Sequence, residues 1–438
     1  MRLLIGFDDH DSPAGGCTTH FTTLFIKSVL TGELRAKIVG LPKLVRLNPA
    51  IPWKTRGNAA TAIELEHEDP REVFEHVESL TEEYDKEISK GTKHGRKPGA
   101  VIIEKRSEYI NLLNRVYKKA LTDVITFDIA EKVLRRINAL YLKTRGSIGS
   151  LAALGFLPEE GFTYELLIYR RLDKERPRNI DFIRELEESY FPKIFYNYDF
   201  QKRSVIAEPR GNDPVLLGIR GVEMKTLIER VYPIIREKLK DYMTESMLFV
   251  TNQHTGAHIL NNEIKIYRSI ITKGEVINKN ILQGGDVKIM LNVDGIGSVT
   301  VFVFRETGIL AKVTQMLEKG DFISVEGVIK PSTTFGYIIE ADAIEIVSLN
   351  SVRLTNPKCP KCGGSTESLG NMKGFRCKKC GFRFVGSKVA LERERHLTLG
   401  KVISSRPRHL TAFPYVSLPK GTNEGDFTDL LSRLVMAL

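Results

Sequence analysis

Two C-x-x-C pairs impose the tightest constraint on what this chain can fold into. Cys359 and Cys362 are followed, fourteen residues on, by Cys377 and Cys380, and a glycine (Gly363, Gly381) closes each pair. Four thiolates on two tight turns complete a tetrahedron around Zn²⁺ with no place for a further ligand. The spacing therefore predicts a structural zinc ribbon over residues 353–388. Cys17 is the one cysteine outside this set, and disulfides are not expected. Phe375, Arg376, Lys378, Lys379, Phe382, Arg383 and Phe384 surround the second pair. Aromatics interleaved with cations suit stacking on bases and neutralising phosphates.

The charge distribution points the same way. The chain of 438 residues carries a net charge of +11, and residues 351–410 hold 14 Lys and Arg against 3 Asp and Glu. One segment supplies the whole excess while the rest balances, which is the footprint of a site for a polyanion, nucleic acid foremost. The sequence has no run of ~18 apolar residues and no signal-peptide order at its start, so the expectation is a soluble, cytoplasmic protein with no membrane partner.

Over the first 270 residues, strand signals (3–7, 37–47, 59–65, 100–104, 164–169, 204–207, 246–251) mix with helical periodicity (70–89, 107–120, 127–143, 179–190, 222–242). That mixture predicts two α+β units of ferredoxin-like type. From Gly274 the pattern changes to short alternating strands with Gly and Asp at the turns. A single helical piece, "GILAKVTQMLEKG", lies among them. Five strands and one helix in that place predict an OB-fold barrel over 274–350. The last residues, 389–438, read as an extended basic tail.

Chemistry concentrates in the N-terminal half. In "IGFDDHDSPAGGCTTHFT" an apolar strand ends in Asp8, Asp9 and Asp11, followed by Gly15, Gly16 and Cys17, with a helix opening at Thr18. Clustered acids suit Mg²⁺, and N–H groups at a helix start face an anion, so the layout suits a metal-bound phosphate. A surface turn with Thr18 as helix cap would use the same residues. "VRLNPAIPWKTRGNAA" offers Arg46, Asn48, Lys54, Arg56 and Asn58 between prolines and glycines. "KTRGSIGSLAALG" sets Lys143 and Arg145 before Gly146 and Gly149, without the G-K-[ST] of a P-loop. "RGNDPVLLGIRG" places Asp213 in a glycine-rich turn. "FVTNQHTGAH" gathers Asn252, Gln253, His254 and His258, read as hydrogen-bonding groups because Gly256 interrupts an i, i+4 ligand pair.

These stretches, with "TYELLIYR", resemble in register the archaeal agmatidine synthetase (TiaS) family, and the resemblance covers nearly the whole chain. It implies a kinase-like catalytic domain (1–195), a ferredoxin-like domain (196–273), the OB fold and the ribbon. It also implies ATP-dependent ligation of agmatine to C2 of the wobble cytidine in the isoleucine tRNA with a CAU anticodon. Thr18 matches the family's phosphorylated threonine, and Asp8, Asp9 and Asp11 match its Mg²⁺ cluster. ATP is then cleaved to AMP. His10 stands where a small polar residue is expected, and "KPGAVI" is a looser form of the family's Asn-Pro-Gly turn.

On these terms Gly15, Gly16, Cys17, Lys54, Arg56, Lys143 and Gly146 are expected at the ATP phosphates. Asp213, with Asn252 and Gln253, is expected at the agmatine guanidinium. Arg376, Lys378, Lys379, Phe382 and Arg383 are expected on tRNA. Two other readings stand beside this one. The first is a non-catalytic RNA-binding protein built on the OB fold and ribbon. The second is a tRNA ligase using another amine such as lysine, against which the missing adenylating S-G-G-x-D-S motif counts.

Overall fold

The computed structural model describes residues 1–438 except 55–56, 179, 210, 262–263, 371–372, 393, 406–407, 409–411, 413–416 and 437–438. Its N-terminal part is one eight-stranded sheet: β1 (Arg2–Asp8), β2 (Lys37–Arg46), β3 (Ala59–Glu66), β4 (Gly99–Glu104), β5 (Leu140–Tyr141), β6 (Thr163–Arg170), β7 (Val215–Gly221) and β8 (Met243–Thr251). Their spatial order is β7-β6-β8-β2-β3-β1-β4-β5, all neighbours antiparallel except β8 with β2. The sheet runs unbroken across residue 195, because β6 lies between β7 and β8.

Alternation along β1 decides which helices cover which face. Phe7 packs on Phe21 and Phe25 of α1 (Thr18–Leu30), with ring centroids 5.0 and 5.4 Å apart. Its neighbour Gly6 points the other way, and a Cβ there would sit 2.1 Å from the Ser150 carbonyl oxygen of α5 (Ser147–Ala153). α1 and α2 (Pro70–Tyr84) thus pack on one face of the sheet. α3 (Ser107–Thr122), α4 (Phe127–Arg136) and α5 form the layer on the other, and α6 (Phe182–Tyr190) and α7 (Tyr232–Leu239) follow along the chain.

Several expected elements need correction. The helix read over 127–143 stops at Arg136, because Asn138 turns left-handed (φ 51°) and the next residues pair as β5 with β4. Residues 204–207 form only a two-residue strand, paired with Tyr198–Asp199 outside the main sheet. The segment read as a glycine-rich turn after Asp213 is in fact the edge strand β7.

The OB fold is as expected. β9 (Ser269–Ile281), β10 (Val287–Val293), β11 (Gly297–Val303), β12 (Phe322–Ser332) and β13 (Gly336–Ser348) close a barrel through the β9–β12 pairing, with α8 (Ile309–Gln315) between the third and fourth strands. Alternate residues such as Ile289, Leu291, Val299, Val301 and Val325 fill its core. A two-stranded neck, Val352–Thr355 paired with Val389–Glu392, leads to the ribbon and back. In the ribbon the four Sγ atoms lie within 4.8 Å of one another, and three of the S–S separations are 3.4, 3.5 and 3.7 Å. A tetrahedron with Zn–S bonds of ~2.3 Å has edges of about 3.8 Å, so the cysteines fit zinc. Gly363 and Gly381 (φ 68° and 74°) each return an N–H to the carbonyl of the first cysteine of their pair, at 2.8 and 3.1 Å.

Residues 389–438 are not the free basic tail that composition suggested. Gly400–Ile403 adds a strand to the barrel beside β13. The chain then returns to the N-terminal sheet. Asn423 brackets the backbone of Leu41 (3.2 and 2.6 Å), Glu424 pairs with Arg2 and Lys105, and α9 (Thr428–Val435) buries Leu431, Leu434 and Val435 against β8 and α1. Apolar burial and backbone pairing, invisible to a charge count, hold this segment down.

Candidate active site

A cavity of about 630 Å³ opens where β1, β2, β6 and β7 meet the starts of α1 and α5. One end is acidic. Asp8 closes β1, and Asp9, held left-handed at φ 63°, turns the chain back so that its N–H donates to Asp8 Oδ1 at 2.8 Å. Gly149 of α5 lies so close that a Cβ there would be 1.9 Å from Asp8 Oδ2. Thr18 begins α1 and lines the cavity, its Oγ1 accepting the His10 N–H at 3.2 Å. The cap is Cys17, not Thr18, and it makes no side-chain capping hydrogen bond.

The electrostatics of this end call for a cation. Burial, reinforced by Asp9 and Asp11, raises the Asp8 carboxyl well above the usual range. Burial and then Asp11 raise Asp9, against the opposing pull of Arg145, whose Nη2 lies 3.7 Å away. Asp9 Oδ2 is buried without a hydrogen-bond partner. Such a donor set fits Mg²⁺ by charge and hardness. The three carboxylates do not converge to a point, however. Among the described residues only the four cysteines bring three or more ligand atoms within 4.8 Å of one another. A cation held here would need oxygens from elsewhere to complete its shell.

The other end carries a buried ion cluster. Glu165 of β6, only 3 % exposed, lies beside Arg220 of β7 by strand register, and its carboxylate sits 2.8 Å from Arg46 Nη2 and 3.7 Å from Arg220 Nε. Burial lowers the Arg220 pKa, and the neighbouring Arg46 adds to that effect. Asn252 accepts the Arg46 N–H (2.8 Å) and donates to its carbonyl (2.9 Å); Gln253 accepts from its Nε (2.9 Å), and His258 Nε2 lies 2.9 Å from the same carbonyl. Asn252 and Gln253 therefore hold Arg46 from behind and do not line the cavity.

The expected site residues divide accordingly. Asp8, Asp9, Asp11, Cys17, Thr18, Lys54, Gly146 and Asp213 line one cavity. Asp213 is buried, and its Oδ1 accepts the Val215 N–H at 2.9 Å. Gly15 and Gly16 lie behind the lining in a tight hairpin with Asp11 and Ser12; Gly16 (φ 78°) has no room for a Cβ between His10 and Ser89. Lys143 lies outside the lining, and Arg56 lies outside the described residues. His10 is buried, stacked on Phe21 at 3.8 Å and pushed down to about 3 by burial, so it is a neutral packing group. On the ribbon Arg376, Lys378, Lys379, Phe382 and Arg383 are all exposed, and Phe382 stacks on Phe384. Glu165 and Arg220 went unread in the sequence as site residues, and Gly149 was read only as part of its glycine stretch. A lone acid inside the apolar strand "TYELLIYR" was the available signal for Glu165.

An acid-and-threonine cavity in an α+β half is joined here to an OB-type barrel and a zinc ribbon. Three family profiles match the chain: the TiaS TCKD domain over residues 4–69, the TiaS FLD domain over 144–258 and the TiaS C-terminal zinc ribbon domain over 356–397. The isoleucine-tRNA 2-agmatinylcytidine synthetase TiaS of Saccharolobus islandicus is 39 % identical, covering 95 % of this chain and 94 % of the relative. That of Pyrococcus horikoshii is 34 % identical, covering 97 % and 99 %. A crystal structure of a TiaS in complex with its isoleucine tRNA and ATP superimposes with a TM-score of 0.79 at 31 % identity, covering 94 % and 96 %. A TiaS complex with the same tRNA, AMPCPP and agmatine gives 0.76 at 31 % over the same shares. The chain belongs to the isoleucine-tRNA 2-agmatinylcytidine synthetase (TiaS) family.

Proposed function

We propose that this protein ligates agmatine to C2 of the wobble cytidine of the isoleucine tRNA with a CAU anticodon, at the expense of ATP, allowing that tRNA to decode AUA. The reading is carried by one observation: Asp8, Asp9 and Thr18 line a single cavity in a chain that aligns end to end with that family. It places the protein in the cytoplasm. Among the described residues no helix is long and apolar enough to cross a membrane.

The chemistry follows from the substrate. The C2 carbonyl lies between two ring nitrogens that feed electrons into it, so it is a poor electrophile. Transfer of a phosphoryl group from ATP to the C2 oxygen creates a leaving group. The neutral amine nitrogen of agmatine then attacks C2, the C2–O bond breaks with its electron pair on the departing phosphate, and the amine proton passes to solvent. A second phosphoryl transfer, to Thr18 Oγ1 with loss of its hydroxyl proton, leaves AMP, and water then hydrolyses the phosphothreonine to inorganic phosphate and restores the hydroxyl. Asp8, Asp9 and Asp11 would hold Mg²⁺, which supplies charge neutralisation at the transferring phosphate. The first-turn N–H groups of α1 face the same charge. Lys54 and Gly146 border the phosphates. Asp213 takes the guanidinium, while Asn252 and Gln253 act through Arg46. The target base reaches the cavity by flipping out of the anticodon loop, and the zinc of the ribbon is structural.

The test is Thr18→Ala. Agmatine incorporation and AMP formation should vanish while tRNA binding survives. Full activity in the variant removes Thr18 from the mechanism. Absence of AMP when the unaltered protein meets ATP, tRNA and agmatine overturns the reading as a whole.

A further inference from the structure

The barrel has a face that the proposed chemistry does not use. In β10 and β11 alternate residues point into the core, which leaves Lys288, Met290, Thr300 and Phe302 on the outer side. Lys288 stands directly opposite Phe302 in the antiparallel register. Phe335, at the tip of the hairpin joining β12 to β13, is 41 % exposed, and its ring centroid lies 6.2 Å from that of Phe302. Phe304 lies 6.4 Å from Phe302, with the two rings inclined by 30°. The Lys288 ammonium sits 5.2 Å above the Phe335 ring.

The charge on these two strands is one-sided. Neither β10 nor β11 contains an acidic residue. Glu340, beside Phe302 on β13, is paired with Arg408 at 2.8 Å. Three aromatic faces and a cation held at the surface by a rigid barrel need an occupant that is flat, apolar on its faces and anionic along its edge. Topology adds an independent argument. In a five-stranded barrel of this type oligonucleotides lie across strands two and three and the loop between strands four and five, and here those are β10, β11 and the hairpin that carries Phe335.

We propose that Phe302, Phe304, Phe335 and Lys288 form a stacking platform for unpaired bases of the tRNA substrate, with Lys288 beside a backbone phosphate. The identity of the RNA rests on the functional reading above; the platform itself does not. Stacking on aromatic rings tolerates any base. The platform therefore grips and orients the strand, and selection of the wobble cytidine falls to the cavity.

The test uses the full-length, zinc-loaded protein and two variants that leave the barrel core intact, Phe335→Ala and Lys288→Ala, with Val347→Ala, also 41 % exposed, as control. Phe335→Ala should weaken tRNA binding roughly fivefold or more, as expected for loss of one stacked base. KM for tRNA should rise while kcat at saturating tRNA stays unchanged, and Phe335→Trp should restore binding. Lys288→Ala should flatten the dependence of affinity on salt. A single-stranded oligonucleotide should compete where a fully paired duplex does not. The proposal falls if Phe335→Ala binds tRNA like Val347→Ala, or if duplex RNA or an apolar peptide competes as well as the single strand. Should the unaltered protein fail to make agmatidine while the Phe335 effect persists, the enzyme reading falls and the platform stands for another RNA.

Discussion

Asp9 combines a left-handed backbone with a carboxylate oxygen, Oδ2, that is buried without a hydrogen-bond partner. Both features cost stability, and backbone and desolvation strain of this kind gathers at functional sites. Its pKa, like that of Asp8, is raised on folding, so the folded state binds a proton more tightly than the unfolded chain. Stability of the metal-free protein therefore falls as pH climbs from the ordinary carboxylate range through the raised values. A divalent cation opposes that loss. The Mg²⁺-induced rise in Tm should accordingly be larger at about pH 8 than at about pH 5. Asp9→Asn should stabilise the metal-free protein and remove most of the Mg²⁺ effect. Equal Mg²⁺ shifts at both pH values, in both proteins, would count against cation binding at this end. Asp8, Asp9 and Thr18 were legible in the sequence because one short interval brings them together. Glu165 and Arg220 were not, since their partner Arg46 lies 119 and 174 residues away in the chain and only the sheet order joins them.

Among the elements, legibility followed periodicity. Alternation is clean in β10 and β11 and made the barrel legible, although its first strand begins at Ser269, ahead of the expected Gly274, and β12 is buried almost throughout. β7 was missed because Gly218 and Gly221 look like turn residues. A Cβ on Gly218 would lie 3.1 Å from Leu167 and 3.3 Å from the Glu165 carboxylate, so this glycine marks close approach inside a strand. α9 was missed for a different reason: its eight residues follow a polar, glycine-containing stretch and find their apolar partner far upstream, where Ser246 Oγ donates to the Leu434 carbonyl at 2.9 Å across 188 residues of chain. Leu434 is 1 % exposed. Leu434→Ala should cost about 2–5 kcal/mol in urea unfolding, the usual range for emptying a core leucine site. A change below about 0.5 kcal/mol, the size of a surface substitution, would show that α9 is no part of the N-terminal core.

At the scale of the whole molecule the basic excess centres on the ribbon and the acidic cavity on the N-terminal sheet. The ribbon hangs on the two-stranded neck, whose Val352, Leu354, Val389 and Leu391 are each about half exposed, and its described strands are only two or three residues long. Cys377→Ser should therefore lose zinc by metal analysis. The variant should bind tRNA roughly tenfold or more weakly, with its KM for agmatine little changed. Intact protein that contains no zinc would refute the ribbon's metal. The excess of basic residues in 351–410 was plain from composition; that Arg395, Lys401 and Arg408 pair with acids of the barrel domain required the fold.

The return of α9 to the N-terminal sheet sets a schedule for synthesis. Domains emerging from a ribosome ordinarily fold in the order they are made. Here the N-terminal module lacks a wall of its core until α9 has left the exit tunnel, so barrel and ribbon can mature first. A nascent chain stalled before residue 428 would carry a finished barrel and ribbon beside an N-terminal module whose core stands open along β8 and α1.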